Sequence, residues 1–143
     1  MTLEELEEMW KKDSVIDPDN LHEESIKIPQ LHSKYYNIHN MITLLKERAR
    51  ETYNKVYLER HNYYTGKAPA EVYVENPFPY KVRDKDALQR HMDADERLNK
   101  IDMKIRYYNL MLKFLDDIIK SIHNRGYYIK NSIDFMKFTA GYN

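Results

Sequence analysis

Residues 28–56 read IPQLHSKYYNIHNMITLLKERARETYNKV, and this stretch decides the fold. Ile28, Leu31, Tyr35, Ile38, Ile42, Leu45, Ala49, Thr52 and Val56 recur at alternating spacings of three and four residues. That is a heptad seam, the pattern of a helix that buries one stripe against a partner helix. The seam weakens at Thr52 and Glu59 and resumes at Tyr63, and Gly66 supplies a left-handed stop. Pro29 lacks a backbone donor, so it either begins this helix or kinks one already under way. A helix over residues 30–65 is about 54 Å long at the usual rise.

Working downstream, residues 67–83 hold Pro69, Pro77 and Pro79 around Val72-Tyr73-Val74. No helical period survives there, so the stretch reads as an extended connection that can include a short strand. Asp84 then caps a second long helix over 84–125. Its seam runs Leu98, Ile101, Ile105, Tyr108, Leu112, Leu115, Ile119 and Ile122, again at threes and fours. Asn124-Arg125-Gly126 reads as its polar stop. Residues 127–143 follow as a C-terminal helix, with Asn131 or Ser132 as cap and Ile129, Ile133, Met136 and Ala140 at helical spacing.

Upstream, Thr2-Leu3-Glu4-Glu5 is a capping-box pattern, and Leu3, Leu6, Met9 and Trp10 share one face of a short helix. Asp17-Pro18 offers a cap and first-turn proline for the next helical start. The expected fold is therefore all-α, one helical domain over residues 1–143. It is a long antiparallel helical hairpin (25–66 and 84–125) with short terminal helices. Leu110, Met111, Phe114 and Ile118 are apolar but lie off the second seam, and a helix apolar on two faces needs two neighbours. Either the terminal helices fold back over that face or identical chains pack on it; the expected arrangement is a helix-bundle homo-oligomer, with Ile105, Tyr108, Leu112, Leu115 and Ile119 as the core or oligomer seam.

Composition narrows the chemistry. The 143 residues include no cysteine and three glycines, and neither G-x-x-x-x-G-K nor G-x-G-x-x-G occurs. Disulfides, thiolate nucleophiles, Cys-based zinc sites and phosphate-cradling loops are thereby removed. The six histidines show no H-E-x-x-H arrangement, and carboxylate neighbours such as Asp116-Asp117 point about 100° apart on a helix. No enzyme, cofactor or metal is expected. No apolar run reaches membrane-spanning length, and the acidic N-terminus is unlike a signal peptide, so the chain reads as soluble and intracellular.

Lysine plus arginine number 23, as do aspartate plus glutamate, but the charges are segregated. Residues 1–24 carry a net −7, residues 25–67 +5, residues 68–102 −2 and residues 103–143 +4. The basic midsection is also ordered. Lys46, Arg50, Tyr53, Tyr57, Arg60, Tyr64 and Lys67 are spaced 4, 3, 4, 3, 4 and 3, so they form one stripe beside the buried seam. Every member is cationic or aromatic, the combination that holds single-stranded DNA: cations track phosphates and rings stack on unpaired bases. The alternative is a structural coiled-coil oligomer, in which such flanking side chains cover apolar surface and contact protein only.

Leu58-Glu59-Arg60-His61-Asn62-Tyr63-Tyr64-Thr65-Gly66-Lys67 resembles the basic, YYSG-containing motif of the UvsY family of tailed-phage recombination mediators. Leu3-Glu4-Glu5-Leu6, Lys11-Lys12-Asp13, Ile16-Asp17 and Ser33-Lys34 are similar as well. So are Ile122-His123-Asn124-Arg125-Gly126-Tyr127, Ile129-Lys130 and Phe138-Thr139-Ala140-Gly141, all in the family's order. The resemblance implies a protein that binds single-stranded DNA as a closed homo-oligomer, a hexamer or heptamer. It further implies a protein that helps a RecA-like recombinase load onto DNA coated by single-stranded DNA-binding protein, and that touches both partners. The resemblance implies that the work is homologous recombination, repair and recombination-dependent replication in the cytoplasm of an infected bacterial host. The family motif contacts DNA through a lysine and an arginine two positions apart; here the arginine is Arg60 and the lysine position is Leu58.

Overall fold

A computed structural model describes residues 1–141. The described residues form helices joined by turns and contain no strand. Six helices follow in order: α1 (Leu3–Asp13), α2 (Leu21–Ile26), α3 (Ile28–Tyr64), α4 (Ala70–Glu75), α5 (Lys85–Asp93) and α6 (Glu96–Thr139). They make two compact units, one of residues 1–42 with the chain from Leu110 onward, the other of Thr43–Asn109.

In the first unit, α1 opens as its sequence requires. The Thr2 hydroxyl accepts from the Glu5 amide at 3.1 Å, and the Glu5 carboxylate accepts from the Thr2 amide at 3.0 Å. Asp17-Pro18 does not open α2. The Asp17 carboxylate instead accepts from the Asp19 amide and the Asn20 side chain, closing a turn, and the helix begins at Leu21. Tyr35, Ile38 and Ile42 of the α3 seam are buried with Leu6, Leu21, Met111, Leu115, Ile118, Ile122 and Ile129. Tyr35 meets Trp10 edge-on at 5.4 Å, and its hydroxyl donates to Asp13, which also takes the Lys34 ammonium at 2.6 Å.

The second long helix does not stop at Gly126; α6 runs on to Thr139, with Asn131 and Ser132 inside it. The polar Asn124-Arg125-Gly126 triplet is no turn because Arg125 is a buried seam residue, three after Ile122 and four before Ile129. Its guanidinium donates to Glu24 at 2.7 Å and to the carbonyls of Asp13, Ser14 and Val15. It thereby fixes the α1–α2 connection onto α6. Positive φ occurs at Gly66 and Gly141 among the described residues, and at neither Gly126 nor any non-glycine residue. Residues 142 and 143 of the expected C-terminal helix lie outside the described residues.

In the second unit, Ala49, Val56 and Tyr63 of the α3 seam are buried, and Val56 forms a core with Met92 and Leu98. Thr52 and Glu59, where the pattern weakened, are exposed. Gly66 ends α3 as expected: at φ 77° it lets the Lys67 amide reach the Asn62 carbonyl at 2.8 Å, the long bond of a Schellman motif. Val72-Tyr73-Val74 is neither extended nor strand but part of α4. Tertiary bonding overrides β-propensity there, since the Tyr73 hydroxyl donates to the Tyr63 carbonyl at 2.8 Å and accepts from the Ala68 amide. Asp84 caps a helix as expected, accepting from the Ala87 amide at 2.7 Å, but that helix, α5, ends at Asp93. Ala94 and Asp95 break the chain before α6 begins, and the Asp95 carboxylate caps α6 by accepting from the Leu98 amide at 3.0 Å.

Candidate nucleic-acid interface

All seven stripe residues belong to the second unit, six on the last turns of α3 and Lys67 just beyond its glycine stop. Arg50, Tyr57 and Lys67 are exposed, while Lys46, Tyr53, Arg60 and Tyr64 are half-buried. Tyr53 and Tyr57 stand 6.1 Å apart, and Tyr57 stands 6.4 Å from His61 at a 26° interplanar angle. The helical repeat thus builds a ladder of three rings, and His61 belongs to it although it lies off the stripe's register. Lys46, Arg50 and Lys67 have no carboxylate within ion-pairing distance among the described residues.

Arg60 and Tyr64 are differently placed. Arg60 Nε donates to Asp95 Oδ2 at 2.6 Å, and the Tyr64 hydroxyl donates to the same oxygen at 2.6 Å. Arg60 also reaches the Tyr64 oxygen at 3.3 Å, and its guanidinium lies 4.3 Å from the Tyr63 ring centre. The physical reason is Asp95, a capping carboxylate whose side chain is 2% exposed. A buried charge persists only when paired and fully hydrogen-bonded. Burial pushes its carboxyl upward, but donation from Tyr64, the Leu98 amide and Arg60 outweighs burial and holds it below the ordinary carboxylate value. Burial, then the bond to Asp95, raises the Tyr64 phenol. Two stripe members therefore help to hold the α5–α6 break and Tyr53 packs against the Val56, Met92 and Leu98 core, which leaves Tyr57 as an exposed ring and Lys46, Arg50 and Lys67 as charges without a carboxylate among the described residues.

Leu58, at the family's lysine position, is 62% exposed. Glu59 beside it pairs with Arg97 at 3.1 Å, so its charge is met by a cation outside the stripe. Of the α6 seam, Leu115 is buried, and Ile105, Tyr108, Leu112 and Ile119 are half-buried. Met111 and Ile118, expected off the seam, are buried inside the first unit.

Sequence reasoning missed a second set of rings in the same unit. Tyr63, Tyr73, Phe78, Tyr80 and His91 join Tyr64 in one cluster with neighbouring centroids 5.2–5.9 Å apart. The available signal was Pro77-Phe78-Pro79-Tyr80, two rings alternating with two prolines in a segment without helix. Elsewhere His32 stacks on Tyr36 at 5.6 Å and His39 Nε2 meets Asp116 at 3.0 Å. No group of metal-ligating side chains is assembled among the described residues, and no helix there is long and apolar enough to cross a membrane.

A family model described as the recombination, repair and ssDNA binding protein UvsY matches residues 9–142. The chain belongs to the UvsY family. It is 32% identical over 143 residues to the recombination protein uvsY of Enterobacteria phage T4, covering 99% of both chains. Its fold is similar to crystal structures of the bacteriophage T4 recombination mediator protein UvsY. The lattice type II form gives a TM-score of 0.86 at 29% identity, with 99% of each chain covered. Lattice type IV gives 0.84 at 27% identity, covering 97% of this chain and 99% of that one. UvsY proteins are recombination, repair and single-stranded-DNA-binding proteins, and that description names no catalysis. The all-α class expected from the heptad seams is the class of the UvsY structures.

Proposed function

We propose that this chain is a recombination mediator that binds single-stranded DNA as a homo-oligomer through the α3 stripe. In that role it promotes loading of a RecA-like recombinase onto DNA coated by single-stranded DNA-binding protein, touching both proteins, in the cytoplasm of an infected bacterium. The observation carrying this reading is the stripe's chemistry: three cations without acidic partners, in register with a ladder of rings, in a family of single-stranded-DNA binders. Phosphates would meet Lys46, Arg50 and Lys67 while bases stack on Tyr53 and Tyr57, each stacked base contributing about 1–3 kcal/mol. No bond is made or broken. The protein holds a DNA conformation on which a recombinase can nucleate, which shifts populations without chemistry.

Salt dependence tests the phosphate contacts. With about 0.7 per phosphate on single strands, three cations give a log–log slope near −2 per stripe, steeper where several stripes share one strand. Arg50→Ala with Lys67→Ala alters exposed side chains only, so it should weaken binding and flatten the slope by about 1.4 while leaving the sedimentation coefficient unchanged. A slope near zero, or an oligomer that dissociates in the variant, favours the protein-only coiled coil. Mediation is read separately, as a shorter lag in DNA-dependent ATP hydrolysis by a RecA-like recombinase on coated DNA.

A further inference from the structure

The aromatic cluster of the second unit contains more ring than the fold uses. Tyr63 and Tyr73 are committed, since the Tyr63 hydroxyl donates to the Asn76 carbonyl at 2.8 Å and Tyr73 bonds the end of α3. Tyr64 is bound to Asp95. Tyr80 is different. Its ring rests on Phe78 at 5.8 Å and on His91 at 5.9 Å, yet the residue is 65% exposed and its hydroxyl has no hydrogen-bond partner among the described residues.

Pro77 and Pro79 both precede Tyr80 and fix φ at two of the three positions before it, so the backbone that carries the ring has less freedom to lose on binding. An open groove of about 340 Å³ runs beside it, lined by Tyr64, Phe78, Tyr80, Lys81 and Arg83 among others. Lys81 and Arg83 are exposed and have no carboxylate within ion-pairing distance among the described residues. The adjacent acid, Asp84, is engaged in capping α5. A groove with a free ring and two unneutralised cations is complementary to an aromatic anion.

We infer that this groove is a second nucleotide subsite, in which an unpaired base stacks on Tyr80 while its flanking phosphates meet Lys81 and Arg83. The inference rests on the single-stranded-DNA reading above and extends it, because none of these three residues belongs to the α3 stripe. Its chemistry is sequence-tolerant, since every base offers a π-face and the cations contact only backbone. The subsite also accounts for a tyrosine directly after Pro79 that stays 65% exposed although its ring rests on Phe78 and His91.

The test compares the full-length chain with Tyr80→Leu, Tyr80→Phe and Lys81→Ala/Arg83→Ala on two probes. One is labelled oligo-dT, and the other is an abasic deoxyribose-phosphate strand of equal length. Tyr80→Leu should bind oligo-dT roughly tenfold more weakly, Tyr80→Phe should bind it like the unaltered chain, and all three should bind the abasic strand equally. Lys81→Ala/Arg83→Ala should flatten the salt slope by about 1.4 on both strands. Oligo-dT binding unchanged in all variants overturns the subsite and leaves the stripe standing. An equal loss on both strands from Tyr80→Leu overturns it as well, because the ring would then act on the fold rather than on a base. No binding of oligo-dT by the unaltered chain overturns both readings.

Discussion

Asp95 concentrates two demands on one carboxylate. It caps α6 through the Leu98 amide, and it holds Arg60 and Tyr64 of the stripe. Its folded pKa lies below the ordinary value of 3.8, so its contribution to stability is fully present above that value and lost as pH falls through the folded one. Asn at this position keeps the shape and one acceptor but not the charge. Asp95→Asn should cost about 1–3 kcal/mol at neutral pH, read as a lower urea midpoint. It should also flatten the decline in stability below pH 4 relative to the unaltered chain. The same substitution frees a guanidinium: Arg60 would meet phosphate without competition, so the slope of DNA binding against salt should steepen by about 0.7. An unchanged slope would mean that Arg60 remains committed to α3 and Tyr63. Arg60→Ala is the poorer probe, because it strands a buried carboxylate and confounds binding with unfolding.

At the scale of helices, Gly126 offers the sharpest prediction. It sits inside α6 without positive φ, and an added Cβ would meet only Ile28 Cδ1, at an ordinary 4.0 Å. Gly126→Ala should therefore stabilise the chain by about 0.5–1 kcal/mol, the helix-propensity difference, visible as a higher thermal midpoint. Destabilisation would show that α6 does end near there. Why the glycine reads as a stop in the sequence is instructive. Local signals were legible: the Thr2–Glu5 box, the Asp84 cap, the Gly66 stop and the α3 seam all depend on neighbours within a turn or two. Arg125 looked like part of a polar turn because its partner, Glu24, lies about a hundred positions away. Asp95 looked like surface for the same reason, with Arg60 distant in sequence, although an acid three residues before buried Leu98 was a cap signal in plain view. The stripe was legible as a spacing, whereas the commitment of Arg60 and Tyr64 to Asp95 depends on tertiary contact and was not.

For the molecule as a whole, neutrality and exposed apolar surface point the same way. A net charge of zero gives little long-range attraction for DNA, and one stripe of three free cations gives a shallow salt slope. The acids of residues 1–24 that make tertiary ion pairs meet Lys34 and Arg125, and neither is a stripe residue. On the proposed function, useful affinity comes from several stripes acting on one strand, where avidity can exceed single-site affinity by about 10²–10⁴. The last turns of α6 offer a surface for such assembly. Tyr128, Phe135 and Phe138 are 56%, 67% and 77% exposed and share a helix face at spacings of seven and three. We propose this ring-bearing face as the self-association surface, because contiguous exposed apolar patches are unusual on a purely solvated face. Phe135→Asp with Phe138→Asp places charge on that face without touching the buried seam that ends at Ile129. In sedimentation the variant should approach the mass of a single 17.4 kDa chain while keeping its helical signal. Its affinity for a long single strand should fall at least 100-fold, and its affinity for a strand spanning one stripe should hardly change. An oligomer that survives the double substitution would move the self-association surface elsewhere, to the half-buried Ile105, Tyr108, Leu112 and Ile119. A variant that loses mass but keeps its long-strand affinity would show that one chain's stripe and groove suffice, and neutrality would then be no obstacle to binding DNA alone.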